Sequence, residues 1–541
     1  MNRKQKIIIS VTGIFIVLLI LVGLTYAYFL TRIQGNTNTK SITVTTKDLK
    51  ITYGDGTNTV LTSDIPLIPS SDAIGVKDFT VTNEGDDTSY IVVIEDVKVL
   101  KGTTLTTFNS NDFRYTLTCT KSDGTSCDGV SEQTIFPING GILVNNEIKE
   151  SDVHTYKLTL WYIETNTDQS EDMSKTLEAK VNIKNINEFN PYSSNTLAYN
   201  IIENTKNKTN GTELLQIPKT KVAQEISKTD EKELSITNDD YGVSYYYRGN
   251  VIDNYVDFAG MCWRVVRIQG DGSIKLVLED QDNTCADSDG NWNIPTTTGG
   301  TAKTGNFGYT QYAANTLTAS DGTQNSSAKY LMNYLNGGTS SNASMVYAFK
   351  NFQTSLDAKL GTDKSLNDYL KAGDWCLNDK AYASNNNNTT PLTNTEILDK
   401  QIKEVTFYYD SYVRLNGKAI KEPTLKCNGT VLTKFTDDKD MYVGTLTADE
   451  IVYAGGKLYT SNQDYYLIND YQKTKSLWFW SLSPNYFSSY CDRAFGLNYS
   501  GDVNSRDVSF SYSFRPAVSL KSSVQITGGN GTKANAYTIP D

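Results

Sequence analysis

The stretch "HTYKLTLWYI", His154 to Ile163, alternates along its whole length, with Tyr156, Leu158, Leu160 and Tyr162 on one side of an extended chain. Successive side chains of a strand point to opposite faces, so this pattern gives one buried face and one wet face. "LEAKVNI" repeats it with Leu177, Ala179, Val181 and Ile183, and "KDFTVTNEGDDTSYIVVIEDVKVL", Lys77 to Leu100, gives two β-rich runs around an Asn-Glu-Gly-Asp-Asp turn. Strands of this kind, joined by polar turns, build an antiparallel sandwich, which we place at residues 38–190.

The rest of the composition agrees. The chain has 541 residues, enough for two or three domains. Hydrophobic residues make up only 38%, and 35 tyrosines accompany abundant Asn, Thr, Ser and Gly, a mixture suited to strands and polar turns. The formal net charge of −11 offers no basic face for phosphates, so nucleic acid is not an expected partner.

Ahead of the sandwich, "MNRKQK" carries Arg3, Lys4 and Lys6, and Ile7 to Leu30 then runs 24 residues without a charge. At about 1.5 Å per residue such a run crosses a bilayer core of roughly 30 Å. The basic cluster on its amino-terminal side keeps that end in the cytoplasm and sends the remainder outside. Residues 1–31 therefore read as a signal-anchor or as a signal peptide cut ahead of Tyr28, where Thr25 and Ala27 supply small residues. Both alternatives export the body of the protein, to the cell membrane with an extracellular body or to the extracellular matrix.

"GLTYAYF", Gly23 to Phe29, a polar spacer and "ITVTTKDLKITYGDG" resemble the start of the TasA/camelysin family of secreted matrix and surface proteins. The Phe79–Val81–Asn83–Gly85 spacing and "TDQSEDMSKTLEAKVNI" resemble its β-sandwich. One residue is inserted in the Gly-Thr-aromatic-Ala element. The resemblance implies a surface or biofilm-matrix role and self-association. It implies no peptidase here, because zincins need two histidines on one helix face and this chain has a single one, His154, in a strand pattern.

Residues 191–235 read as a polar connector with a short helix near Val222 to Ser227. A second region, residues 236–541, opens with a hairpin, Cys262 to Ile268 and Ile274 to Glu279 around Gln269-Gly270-Asp271-Gly272. Helical patterns follow at about 325–380: "SSAKYLMNYLNGG", then Met345, Phe349, Phe352, Leu356 and Leu360 on one stripe ahead of Gly361. "TADEIVYAGG" is a capping box of Thr447 and Glu450 stopped by Gly455. The closing segment, Leu477 to Ser523, resembles that of uncharacterised bacterial surface domains and, in outline, of the formylglycine-generating-enzyme and C-type-lectin-like folds, through Trp480, Ser481, Arg515 and Pro516. This resemblance implies an α+β domain with a small twisted antiparallel sheet, closed by a Trp-Ser strand, a long loop and an Arg-Pro strand. Arg515 reads as structural, satisfying loop carbonyls.

Seven cysteines lie beyond the apolar run, where disulfides persist. Cys119 and Cys127 bracket a turn, Cys262 and Cys285 flank the hairpin, and Cys376 and Cys427 fall together in the helical region; we expect the first and last of these to bond. Cys491 is left over. The segment around it resembles the active segment of formylglycine-generating enzymes but lacks the second cysteine that holds copper. No CxxC or Cys/His cluster suggests zinc, "GGTAKTGN" lacks the Lys-Ser/Thr ending of a phosphate loop, and the acidic loop 280–291 misses EF-hand spacing. No cofactor, metal or catalytic residue is assigned.

We expect a non-catalytic surface protein for adhesion or ligand binding. Its candidate contacts are Tyr486, Tyr490, Tyr499, Asp502, Asn504 and Arg506, where rings interleave with short polar residues as at sugar- or protein-binding surfaces. Two alternatives stand beside it: an extracellular hydrolase of surface glycans, marked by a buried carboxylate pair in a deep pocket, and a self-assembling fibre subunit. All three need export. Protease added to intact cells will remove the carboxyl-terminal region; survival of that region until lysis would reverse the topology.

Overall fold

The computed structural model describes residues 30–35, 51–55, 73, 75–101, 104–106, 112–137, 140–164, 169, 175–184 and 190–208, then 232–291, 309–311, 345–385, 390–403, 405–416, 422–435, 437–488, 491–508 and 511–540. The apolar run up to Phe29, the helix expected near Val222 to Ser227, the "SSAKYLMNYLNGG" helix and the "GGTAKTGN" loop lie outside these residues. Among the described residues no helix is long and apolar enough to cross a membrane. Leu30 already belongs to a strand, Leu30–Gly35, so the boundary drawn at residue 31 falls inside a sheet element. The chain divides into two compact units, 1–191 and 192–541.

The first unit holds two five-stranded sheets. One runs Leu30–Gly35, Lys175–Lys184, Thr88–Lys101, Thr104–Thr106, with Gly141–Ile148 also on Thr88–Lys101; the other runs Ile51–Asp55, Gly75–Asn83, Val153–Tyr162, Phe113–Lys121, Val130–Ile135. The alternating faces meet as expected. Tyr156, Leu158, Leu160 and Tyr162 of one sheet share a buried core with Tyr90, Val92, Ile94, Ala179, Val181 and Ile183 of the other. The two runs around the Asn-Glu-Gly-Asp-Asp turn do not pair with each other; they belong to different sheets. Asn83, fully buried, holds this crossing. Its Nδ2 donates to Asp86 O at 2.8 Å and to Lys149 O at 3.1 Å, and its Oδ1 accepts from Gly85 N at 3.0 Å.

A polar chain crosses this core. Asn146 Nδ2 lies 2.6 Å from Tyr156 Oη, Tyr156 Oη 2.5 Å from Tyr90 Oη, and Tyr90 Oη 2.7 Å from His154 Nδ1. One direction of donation satisfies every link: Asn146 to Tyr156, Tyr156 to Tyr90, Tyr90 to a neutral His154 whose Nε2–H faces Asp152 at 3.4 Å. Tyr90 and Asn146 come from one sheet and His154 and Tyr156 from the other, so the chain fixes the register between them. His154 is thus a structural residue. In that arrangement its Nδ1 accepts, and burial, only partly offset by Asp152, pulls its pKa below the usual imidazole value.

The second unit contains two eight-stranded sheets. The first runs Lys232–Asp239, Gly242–Gly249, Met261–Ile268, Ile274–Asp280, Ala517–Leu520, Val443–Gly444, with Tyr255–Phe258 beside Met261–Ile268 and Tyr537–Thr538 beside Tyr255–Phe258. The second is built on Phe479–Ser488, Cys491–Leu497 and Asp502–Asp507, extended by Ser511–Ser513, Tyr309–Gln311, Lys457–Leu458, Phe407–Tyr409 and Ala381–Tyr382. This replaces the expected small sheet. The Trp480 strand and the strand after Arg515 sit in different sheets, and the segment between them is strand meander rather than one long loop. The connector reading is also corrected at both ends. Leu197–Lys208 is a helix burying Leu197, Ala198, Ile201 and Ile202, and a strand begins at Lys232. Polar composition hid the helix because only one face is apolar.

Other expectations stand. The hairpin pairs Met261–Ile268 with Ile274–Asp280. Met345–Lys359 is a helix burying Met345, Phe349, Phe352 and Leu356. Cys119–Cys127, Cys262–Cys285 and Cys376–Cys427 are disulfides. Closing such loops stabilises by roughly 2–4 kcal/mol each in the chain-entropy model.

At the centre of this unit is the helix Ala448–Ala454. Thr447 Oγ1 accepts from Glu450 N at 3.1 Å and Glu450 Oε2 accepts from Thr447 N at 3.0 Å, the expected capping box. Glu450 does more. Its Oε1 accepts from Arg267 Nε at 2.9 Å and from Lys275 Nζ at 2.8 Å, and Arg267 continues to Asp239 at 2.6 Å. All four residues are buried. Next to it, Asp449 binds Arg414, which also binds Asp410 at 2.6 Å. Burial alone would raise the Glu450 pKa; the charges of Lys275 and Arg267 overcome it and hold the carboxyl at about 2.

Two outcomes follow from these networks. The folded-state pKa of His154 lies below its unfolded value, so its contribution is complete above about pH 6.5 and is lost as pH falls below that. Thermal melts between pH 7 and 5 will fall less steeply for His154→Gln than for the parent; equal slopes would remove His154 from the acid response. Glu450→Gln leaves Arg267 and Lys275 without their shared carboxylate, and chemical denaturation will show a loss of about 3–5 kcal/mol in the second unit. A loss under about 1 kcal/mol would show that the helix is not its anchor.

Candidate functional site

The strands Phe479–Ser488, Cys491–Leu497 and Asp502–Asp507 pair in sequence order, antiparallel. The turn between the last two is set by Asn498, whose Oδ1 accepts from Ser500 N at 2.8 Å and from Asp502 N at 3.2 Å. Gly501 completes it at φ 81°, where a Cβ would stand 1.5 Å from Asn462 O. The candidate contacts are thereby tied to a sheet, and period-2 alternation divides them between its faces.

One face carries Tyr486. Its ring lies 5.3 Å from that of Tyr412 and 6.2 Å from that of Tyr408, and Tyr408 and Tyr412 stack at 5.0 Å. All three are half-buried. Arg493 Nη1 donates to Tyr486 Oη at 3.0 Å, and Arg493 Nε is paired with Asp507 at 2.9 Å. Tyr459 adjoins this group: its hydroxyl faces Asn485 and Ser505, close to Tyr486 and Arg493. It is 42% exposed and holds a left-handed backbone, φ 52°. For a bulky non-glycine residue that conformation costs about 1–3 kcal/mol, and such outliers cluster where side chains are displayed for binding.

Asp502, Asn504 and Arg506 alternate onto the other face. Asp502 is buried and occupied: Oδ1 accepts from Ser500 Oγ at 2.6 Å and Oδ2 from Asn504 Nδ2 at 2.9 Å. Its carboxylate closes the turn. Arg506 lies over Trp478, 4.3 Å from its ring centroid, and Trp478 stacks on Tyr512 at 5.3 Å. Tyr499, 40% exposed, sits at the turn, where its carbonyl accepts from Gln463. Tyr490 lies outside the described residues. The six residues are therefore not one surface. Tyr408, Tyr412, Tyr459 and Arg493 escaped the sequence reading; their signal was the tyrosine spacing in "FYYDSYV", which places Tyr408 and Tyr412 four residues apart.

Trp480 is 1% exposed and Arg515 is fully buried. Arg515 donates to Leu278 O at 2.7 Å and Leu467 O at 2.6 Å and pairs with Glu279 at 2.6 Å, so it ties the chain between Ser513 and Ala517 to the inner strand Ile274–Asp280 and to the loop at Leu467. The buried carboxylates Asp239, Asp410, Asp449, Glu450 and Glu279 each face a buried arginine or lysine. Asp280, Asp502 and Asp492 are buried without such an ion pair; the first two accept hydrogen bonds from their own turns, while burial lifts the Asp492 pKa far above the carboxylate range, with Tyr409 Oη 3.2 Å away.

Among the described residues two groups have metal-ligand proximity, Cys119 with Cys127 and His154, and Asp257 with Cys262 and Cys285. In both, the sulfurs are committed to a disulfide, and a metal takes thiolates. In the acidic loop, Asp280 is buried and its oxygens accept from the backbone of Asp282, Asn283 and Asp289 at 3.0–3.1 Å, a loop-closing role. Cys491 opens its strand; its side chain lies outside the described residues. No protein-family model matches the chain, and no curated protein does.

Proposed function

We propose that this is an exported recognition protein whose carboxyl-terminal unit binds a surface glycan through the tyrosine group on the Phe479–Ser488 strand. The observation that carries this reading is the cluster of Tyr408, Tyr412 and Tyr486, half-buried and edged by Tyr459 in its left-handed conformation. Stacked, partly exposed rings cover the apolar face of a sugar, and their hydroxyls make directed hydrogen bonds, at low entropic cost. The three disulfides suit an oxidising compartment outside the cytosol. The paired buried carboxylates support a structural use of acid groups rather than hydrolysis. In this reading the first unit is a stalk or assembly module.

A glycan array and cell-wall pulldown with the full-length protein test the reading. Tyr412→Ala and Tyr459→Asn will each weaken binding about tenfold, on the order of 1–2 kcal/mol for a central contact. Stability will separate the tyrosines. Tyr499→Ala will cost under about 0.5 kcal/mol, as an exposed site does, and Tyr486→Ala will cost more because its ring packs on two others. Unchanged glycan binding in both Tyr412→Ala and Tyr459→Asn would overturn the reading.

A further inference from the structure

Four arginines of the second unit are neutralised by a carboxylate. Arg267, Arg414, Arg493 and Arg515 each pair with a carboxylate at 2.9 Å or closer. Arg506 does not. Its Nη1 donates to Ser505 O at 2.9 Å and reaches Asn504 Oδ1 at 3.4 Å. Among the described residues no carboxylate stands within ion-pair distance of it, and no group accepts from Nε or Nη2. Arg264 also lacks a carboxylate partner, but it is buried and spends Nε and Nη2 on Asn254 Oδ1 and Val251 O at 2.6 Å; Arg506 is half-buried and leaves those two donors over, in a chain with 61 acidic residues and a net charge of −11.

The guanidinium is nevertheless held. Its Cζ lies over Trp478, 4.3 Å from the ring centroid, and Trp478 is itself stacked on Tyr512. Trp478 and Tyr512 are half-buried. The two donors left over, Nε and Nη2, form the edge of the fork that matches the two oxygens of a carboxylate or phosphate. Because the stack restrains the side chain beforehand, little rotamer freedom is left to lose on binding.

We propose that Arg506, Trp478 and Tyr512 form a subsite for an anionic saccharide group, a sugar carboxylate or a sugar-linked phosphate ester. The guanidinium fork takes the anion, and the adjoining rings take the sugar. This deepens the recognition reading but stands on the opposite face of the sheet from the tyrosine group, with its own residues. The guanidinium's attraction for an anion is local and weakens with salt, which also screens the repulsion from the chain's net negative charge.

The test uses the full-length protein at low salt with three polymers, polygalacturonate, poly(glycerol phosphate) and neutral dextran, with poly-glutamate as a sugar-free polyanion. Binding is read by titration calorimetry and tryptophan quenching. The parent will bind at least one of the two anionic sugar polymers more tightly than poly-glutamate. Carboxylate-only and phosphate-only binding distinguish the two sources, and both support the subsite. Arg506→Gln will lose at least tenfold in affinity, Arg506→Lys will fall between, and Lys439→Gln, which removes an exposed charge elsewhere, will have no effect. Melting curves confirm that the variants fold. Equal affinity in Arg506→Gln and parent, or no preference for the anionic sugar polymers over poly-glutamate or dextran, would overturn the proposal. Glycan-array binding of the same Arg506→Gln protein separates this failure from failure of the tyrosine reading.

Discussion

Glu450 is the group on which the carboxyl-terminal unit depends. One oxygen caps the first turn of its own helix, and the other accepts from Arg267 and Lys275 on the two strands of the central hairpin. A buried carboxylate is tolerated only when its charge is matched and its lone pairs are filled, and here both conditions are met by residues from distant parts of the sequence. Asp449 beside it does the same for Arg414. One short helix therefore joins the first sheet, through Arg267 and Lys275, to the segment carrying Arg414 and Asp410. Because these partners satisfy one another only in one arrangement, the network selects that arrangement as much as it stabilises it.

The placement of the rings follows. Arg414 and Asp410 lie on the helix Asp410–Asn416, which also carries Tyr412, and the strand before it carries Tyr408. Anchoring that helix from below brings Tyr408 and Tyr412 against Tyr486. Arg515, buried and paired with Glu279, lies over the Phe479 ring, 5.8 Å from its centroid, at the start of Phe479–Ser488. A set of ion pairs inaccessible to ligands thus positions aromatic groups that remain accessible.

The sandwich joins its sheets with neutral groups. Its apolar and aromatic core is crossed by the Asn146–Tyr156–Tyr90–His154 chain, linked by three hydrogen bonds of 2.5–2.7 Å. Apolar side chains let two sheets slide over one another at small cost; directed hydrogen bonds between them do not. Asn83 adds a second constraint where the chain passes from one sheet to the other.

Local pattern was enough to identify the strands 153–162 and 175–184, the hairpin 261–280, the helix at Met345 and the capping box at Thr447, because period and capping chemistry act over a few residues. The Cys119–Cys127 disulfide was legible from the turn that its cysteines bracket, and Cys262 and Cys285 flank a hairpin; Cys376 and Cys427, 51 residues apart, were paired only by falling in the same region. Sheet membership was not. Residues 75–83 and 88–101 read as neighbours across a turn yet belong to different sheets, and Trp480 and Arg515 read as closing one sheet yet bound two. Pairing partners are chosen by long-range burial, which no local window contains. The same applies to the candidate site. Composition pointed to tyrosines and polar residues in 486–506, but the pleat sends Tyr486 and Arg506 to opposite faces. Tyr408, Tyr412 and Tyr459 join Tyr486 only because buried charges elsewhere hold their segments in place.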